Sequence, residues 1–198
     1  ATTVFQNHIA VVYGAHRKTY AEYYERATRL ASALQKMGVR PGEVVATLMP
    51  NIPAQAEAHF GVPACAAVLN TINVRLDVDT VAFIFDHGEA KVVLVDSQFL
   101  ALTEAAGTEM EGAVPKIIEV PDEAAGFPAS GKYQTYEELL ETGDPDFDWM
   151  MPRDEWESLA LNYTSGTTGR PKGVVSHHRG SYLMTMGTVI SWQMTLHP

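Results

Sequence analysis

Residues 159–180, LALNYTSGTTGRPKGVVSHHRG, run from an apolar segment through a knot of Ser, Thr and Gly into Pro-Lys-Gly and a second apolar segment. Each flank has strand length and strand composition, so the stretch reads as strand, loop, strand. Gly166 and Gly169 accept backbone angles that turn successive amide groups toward one concave side, a nest that binds anions. Thr164, Ser165, Thr167 and Thr168 add hydroxyl donors without bulk, and Lys172 adds a compact positive charge on a long stem. The set suits a polyphosphate. A plain hairpin turn is the bland alternative, yet such a turn takes only about two to five residues and no lysine at a set distance.

The Walker loop, G-x-x-x-x-G-K-[ST], is a sharper rival and fails twice. Counted from Gly166, Pro171 stands where the second glycine is required and Gly173 where the Ser or Thr is required. The residues after Lys172 read as a strand, whereas a Walker loop opens a helix whose N-terminus holds the phosphates.

Outward from this stretch the chain alternates. Residues 8–14 read as a short strand and the polar residues after them as a turn. Thr19 with Glu22 is a capping-box pair; Tyr23, Ala27, Leu30, Leu34 and Met37 recur at helical spacing, and Gly38 and Pro41 end the run. Residues 43–49 form an apolar run of the kind a parallel sheet buries on both faces. A helix is predicted over residues 54–69, opened by Pro53 and kinked at Pro63. A short helix at 80–86, a strand at 91–96, a helix at 98–106, a strand at 116–120 and a second capping box, Thr135 with Glu138, continue the pattern. The fold class is therefore α/β, with a layered, largely parallel sheet flanked by helices. Residues 107–132 and the acidic stretch GDPDFDWMMPRDE read as surface connections.

Composition removes several classes of function. The formal net charge of -10 argues against wrapping nucleic acid, which rewards clusters of Lys and Arg. Cys65 is the single cysteine, so neither an internal disulfide nor a cysteine metal site can form, and its apolar surroundings suggest a buried thiol. No apolar run approaches the roughly 18 residues of a membrane span, and no secretory leader is evident, which leads to an expectation of a cytoplasmic protein.

With these residues in view, YTSGTTGRPKG resembles the signature loop of the adenylate-forming superfamily of acyl- and aryl-CoA synthetases, luciferases and amino-acid adenylation domains. The wider context, with MPNIPAQAEAHFGVPACAAVLNTINVRL upstream, is most similar to fatty-acyl-CoA ligases and plant acyl-activating enzymes, over essentially the whole chain. The resemblance implies that residues 1–198 are the front part of the large N-terminal AMP-binding domain. It implies an AMP-forming ligase that uses ATP, Mg2+ and coenzyme A on a carboxylic, fatty acid. It assigns Thr164, Ser165, Gly166, Thr167, Thr168, Gly169 and Lys172 to the ATP phosphates and aligns His178 with a histidine near the site; Arg170 falls at a variable position. The catalytic groups and the C-terminal domain are expected beyond Pro198, leaving the fragment inactive alone. A non-catalytic nucleotide-binding module and an amino-acid adenylation domain are the alternatives.

Other residues carry less. His177 and His178 are read as strand neighbours on opposite faces, unable to share one ion. Asp144, Asp146 and Asp148 fit a solvated loop better than a calcium site, and no metal site is expected. Tyr182, Met184, Met186, Val189, Ile190 and Trp192 form an apolar helical stretch, read as sheet-covering core ahead of an acyl-pocket lining. Apolar edges left uncovered favour homo-oligomers.

Overall fold

The apolar run at residues 43–49 becomes the centre of a sheet. Every residue of β3 (Val44–Leu48) is buried. A strand can do this only with a neighbour on each side and a helical layer on each face. In the computed structural model, which describes residues 3–164 and 170–194, β3 lies between β4 (Val68–Thr71) and β5 (Ala90–Asp96), parallel to both. With β6 (Lys116–Val120), β7 (Ser158–Thr164) and β8 (Lys172–His177) the sheet order is β6-β5-β3-β4-β7-β8. All neighbours are parallel except the last pair, β7 and β8, which is antiparallel.

The two faces carry separate cores. On one, α1 (Tyr20–Lys36), α2 (Pro53–Ala64) and α5 (Tyr136–Glu141) cover Val45, Leu69, Val92, Leu94 and Ile118. On the other, α3 (Val78–His87) and α4 (Leu100–Glu109) cover Val44, Ala46, Leu48, Val93 and Val95. The alternation of Val92 and Leu94 against Val93 and Val95 is the period-2 signature of a strand buried on both sides. Both predicted capping boxes form, Thr19 with Glu22 and Thr135 with Glu138, each satisfying two orphan backbone donors. Helices α1 and α2 approach closely at Gly61, where a Cβ would meet Leu30 Cδ2 at 2.7 Å.

Three expectations are corrected. Residues read as a turn after the first strand form β2 (His16–Thr19), paired antiparallel with β1 (Ile9–Tyr13). The polar side chains of β2 fit because this hairpin lies outside the main sheet with much of its surface in solvent. The helix predicted over residues 54–69 stops at Ala64, just after Pro63; Ala66 turns the chain at φ 59°, and Val68–Thr71 is strand β4. Unbroken apolar character across residues 61–69 hid that change of period. The last helix, α6 (His178–Ser191), has no buried residue; Tyr182 is 66% and Trp192 76% exposed, so it does not act as sheet-covering core in this chain.

Cys65 caps α2 and is buried, its Sγ donating to the Val62 carbonyl at 3.1 Å. Burial pushes the thiol up to about 11. A thiol-specific chromogenic reagent near neutral pH is expected to leave the folded chain untouched and to titrate the thiol fully in denaturant. Rapid reaction of the folded chain would contradict the burial.

Candidate functional site

The Ser/Thr/Gly loop leaves the C-terminal end of β7 and returns as β8. In open α/β sheets the C-terminal edge of the parallel strands is where ligands bind, because loops there can converge on one crevice. Thr164 and Lys172 are direct partners across the β7–β8 ladder, so their side chains lie on the same face of the sheet. Both are exposed. Ser165, Gly166, Thr167, Thr168 and Gly169 lie outside the described residues.

The faces of the hairpin differ in chemistry. Leu161 and Tyr163 pack against the core under α3, and Gly173 opposite them leaves room for the ring, since a Cβ there would meet Leu161 Cδ1 at 3.1 Å. By alternation, Asn162 and Thr164 take the other face. Asn162 Oδ1 there accepts a hydrogen bond from Thr71 Oγ1 at 2.8 Å, tying β7 to β4. Lys172, as the partner of Thr164, shares that face. At the ends of β3 and β4, where Thr71 meets Asn162, a cleft of about 510 Å³ opens, with Asn51, Gln55, His59 and Asn73 in a polar lining.

The α3 face carries the opposite character. A cleft of about 740 Å³ there is lined by Asp79, Asp86, Glu109 and Glu111 together with Phe83, His87, Arg170 and Pro171. Its acidic wall repels a triphosphate, whereas the other face presents the Lys172 ammonium group and the Thr164 hydroxyl. An anion therefore has one favourable side of this hairpin. Tyr163 Oη and His87 Nδ1 are 2.8 Å apart; burial raises the Tyr163 phenol above its ordinary pKa. These contacts carry no sequence motif and come into view only when the chain is folded.

The two histidines after the loop are placed otherwise than their reading as strand neighbours suggests. His177 ends β8 and caps α6, its Nδ1 accepting from the Gly180 amide at 2.9 Å, while its ring lies 4.5 Å from that of Trp156. His178 begins the helix, and its amide donates to the Glu157 carbonyl. It sits at the end of the hairpin away from the loop, about 17–20 Å from Lys172 along the strand at the usual rise of ~3.4 Å per residue. Asp144 accepts from the Asp146 amide at 2.9 Å in a loop turn. Among the described residues no group of three His, Cys, Asp or Glu side chains is arranged to hold a metal.

A family model described as AMP-binding enzyme matches residues 1–197. The chain is similar to the acetate/butyrate–CoA ligase of Arabidopsis thaliana, named as peroxisomal, at 43% identity over 205 residues, covering 98% of this chain and 36% of that protein. It is also similar to the 2-methylpropanoate–CoA ligase of Humulus lupulus, at 40% identity over 204 residues, covering 100% of this chain and 37% of that protein. The crystal structure of a long-chain-fatty-acid–CoA ligase from Archaeoglobus fulgidus shares the fold, with a TM-score of 0.84 at 21% identity over 98% of this chain and 38% of that one. The chain spans little more than a third of the curated relatives it matches. Among the described residues no helix is long and apolar enough to cross a membrane.

Proposed function

We propose that this chain, which belongs to the AMP-binding enzyme family, supplies the triphosphate-holding hairpin of an AMP-forming acyl-CoA ligase. The observation that supports this reading most directly is the β7–β8 hairpin. It brings Thr164 and Lys172 to one face, at the carboxyl edge of a parallel sheet, with the Ser/Thr/Gly loop between them. The reaction has two steps. A carboxylate oxygen attacks the α-phosphorus of ATP, and the bond to the oxygen bridging the α- and β-phosphates breaks. That oxygen leaves with its electron pair as part of pyrophosphate. The thiolate of coenzyme A then attacks the acyl carbon, and AMP departs with the electron pair of the acyl–oxygen bond.

In this reading the residues of Thr164–Lys172 do positional and electrostatic work. Hydroxyls, amides and the Lys172 ammonium hold the β- and γ-phosphates so that pyrophosphate leaves in line, and charge-assisted hydrogen bonds of about 1.5–3 kcal/mol each suffice to orient it. Mg2+ accompanies ATP in such chemistry, yet the described residues offer no carboxylate set for it; no step is routed through the metal. Because the chain spans about 36% of its relatives, the groups that carry out the chemistry are proposed to lie in a longer gene product, with this segment inactive alone. The acid is proposed to be a short aliphatic one, supported by the relatives' acetate, butyrate and 2-methylpropanoate names. Cytoplasmic residence is proposed for location, with the peroxisome, named for one relative, as the alternative.

The test is ATP–pyrophosphate exchange by the full-length gene product against short, medium, long and aromatic carboxylic acids. Exchange with the short acids is the expected result, and none with any acid would sink the ligase reading. Self-association is a further expected outcome for the 198-residue chain itself. Val174 and Val175 on edge strand β8, Tyr182, Met184 and Ile190 on α6, and Trp192 just after it are exposed, apolar surface beside an open sheet edge of the kind that self-associates. Sedimentation velocity is expected to show dimers or larger species at micromolar concentration, and a strictly monomeric boundary would oppose the proposal.

A further inference from the structure

The α3 side of the hairpin holds a cluster of rings that the phosphate reading does not use. Phe83 and His87, one helical turn apart on α3, have ring centroids 5.2 Å apart. Tyr163, the last residue but one of β7, meets both, with centroids 6.3 Å from Phe83 and 5.7 Å from His87, at interplanar angles of 80°. Its hydroxyl is hydrogen-bonded to His87 Nδ1 at 2.8 Å. On the other limb, the guanidinium carbon of Arg170 stands 5.4 Å over the Phe83 ring. Tyr163 adjoins the residue where the chain enters the loop, and Arg170 is where it leaves. Both limbs therefore meet one helix, Tyr163 through Phe83 and His87 and Arg170 through Phe83.

We propose that Phe83, His87, Tyr163 and Arg170 form an anchor that sets the position of the phosphate loop, acting as positioning residues for the ATP tail without touching it. The inference rests on the phosphate reading above. Three physical points carry it. The β7–β8 ladder fixes Thr164 against Lys172 but does not reach Arg170, so a separate contact is needed to fix the exit limb. A guanidinium over a phenyl face is directional, because it meets the negative face of the ring quadrupole. The acidic wall of Asp79, Asp86, Glu109 and Glu111 around the same cleft favours a cation on this side and disfavours a phosphate. Arg170 thus faces away from the side on which Thr164 and Lys172 stand.

The experiment is steady-state ATP–pyrophosphate exchange by the full-length gene product, with Phe83→Leu, Arg170→Met and their double variant. Loss of one cation–π contact is expected to raise the KM for ATP about 3- to 10-fold, while the KM for the carboxylic acid stays at the parent value. The double variant is expected to be no worse than the poorer single one, because both changes remove one interaction. A purely structural role would move both KM values together and would overturn the proposal. A raised KM for ATP in Arg170→Met with a parent value in Phe83→Leu would also overturn it, since Arg170 would then meet the nucleotide directly. Tyr163→Phe removes one hydroxyl and keeps the ring, so it tests the entry limb even where Phe83→Leu unfolds. A selective rise of about 2- to 5-fold in KM for ATP is expected, the worth of one modest hydrogen bond, and an unchanged value would overturn the entry half. Lys172→Ala separates the two levels: an unaltered KM and rate there would defeat the phosphate reading itself. A strong Lys172 effect beside silent anchor variants would defeat only the anchor.

Discussion

Replacing Lys172 by alanine is expected to lower substrate-dependent ATP–pyrophosphate exchange of the full-length gene product by about 100-fold or more, the scale on which a single preorganised electrostatic donor acts. The backbone pairing makes this a clean experiment. Lys172 opens β8 and is paired with Thr164, so the ladder holds the main chain in place whichever side chain it bears. The side chain is exposed, and surface substitutions of that kind change stability by only about 0.5 kcal/mol. A fall in rate then reports the missing ammonium group rather than a damaged fold. Lys172→Arg is expected to recover only part of the rate. Guanidinium keeps the charge, but it is a planar fork where the loop needs a compact point charge. The loss should fall on the chemical step as well as on ATP binding, because negative charge builds on the departing pyrophosphate as the bond breaks. Exchange at the parent rate in Lys172→Ala would remove the central support for the proposed function.

Much of this arrangement is legible before folding, and the boundary of legibility has a physical cause. Strands buried on both faces, such as Val44–Leu48 and Ala90–Asp96, announce themselves as short apolar runs bounded by turns. Helices with capping boxes announce their first residue, as Thr19 and Thr135 do. The change from α2 to β4 does not show, because residues 61–69 stay apolar through both, and burial alone satisfies either period. Nor does β2, whose pairing with β1 is set by the Gly14 turn at φ 55° and by residues His16–Thr19, which are polar along most of their length. The proposed phosphate loop can be read as a candidate because its chemistry would lie in one contiguous segment. Its anchor cannot: Phe83 and Tyr163 are far apart in sequence, and only the crossing of α3 over β7 brings their rings together. The helical period of α6 reads correctly, but the period of an apolar stretch cannot tell whether anything covers it.

The second large effect concerns the fold that carries the site. Glu57, on α2, is fully buried, and its carboxylate is the meeting point of three other elements. Its Oε1 accepts from Lys18 Nζ of β2 at 2.9 Å and from Arg26 Nε of α1 at 2.7 Å, and its Oε2 accepts from Tyr136 Oη of α5 at 2.9 Å. Arg26 continues outward to Glu137 through two hydrogen bonds of 2.8 and 2.6 Å. Burial, and next the Glu57 charge, push the Tyr136 phenol well above its ordinary value, so it stays a donor across the whole accessible range of pH. Hydrogen bonding from Arg26 holds Glu137 below the ordinary carboxylate value of 4.5. The part of stability that Glu137 contributes is thus complete above that value and fades as pH falls through its lowered folded pKa.

Removing the central carboxylate strips partners from two cations and a buried hydroxyl at once. Glu57→Ala is expected to destabilise the chain by about 3–5 kcal/mol, the usual result of breaking a buried pair from one side. For a chain of this size that corresponds to a fall in Tm of roughly 6–20 °C. The charge itself is not expected to be the source of stability. Replacing the set together, with Glu57→Leu, Tyr136→Phe and Lys18→Met, leaves Arg26 paired with Glu137 through both Nη atoms, so that of the donors to Glu57 only Arg26 Nε loses its partner. Such wholesale replacement is expected to recover most of the loss, since a buried ion network gains in attraction little more than its desolvation costs. Differential scanning calorimetry of the single and triple variants decides the matter. A Glu57→Ala chain melting within about 2 °C of the parent, which at this size is under roughly 1 kcal/mol, would show that β2, α1, α2 and α5 are held by their apolar contacts alone.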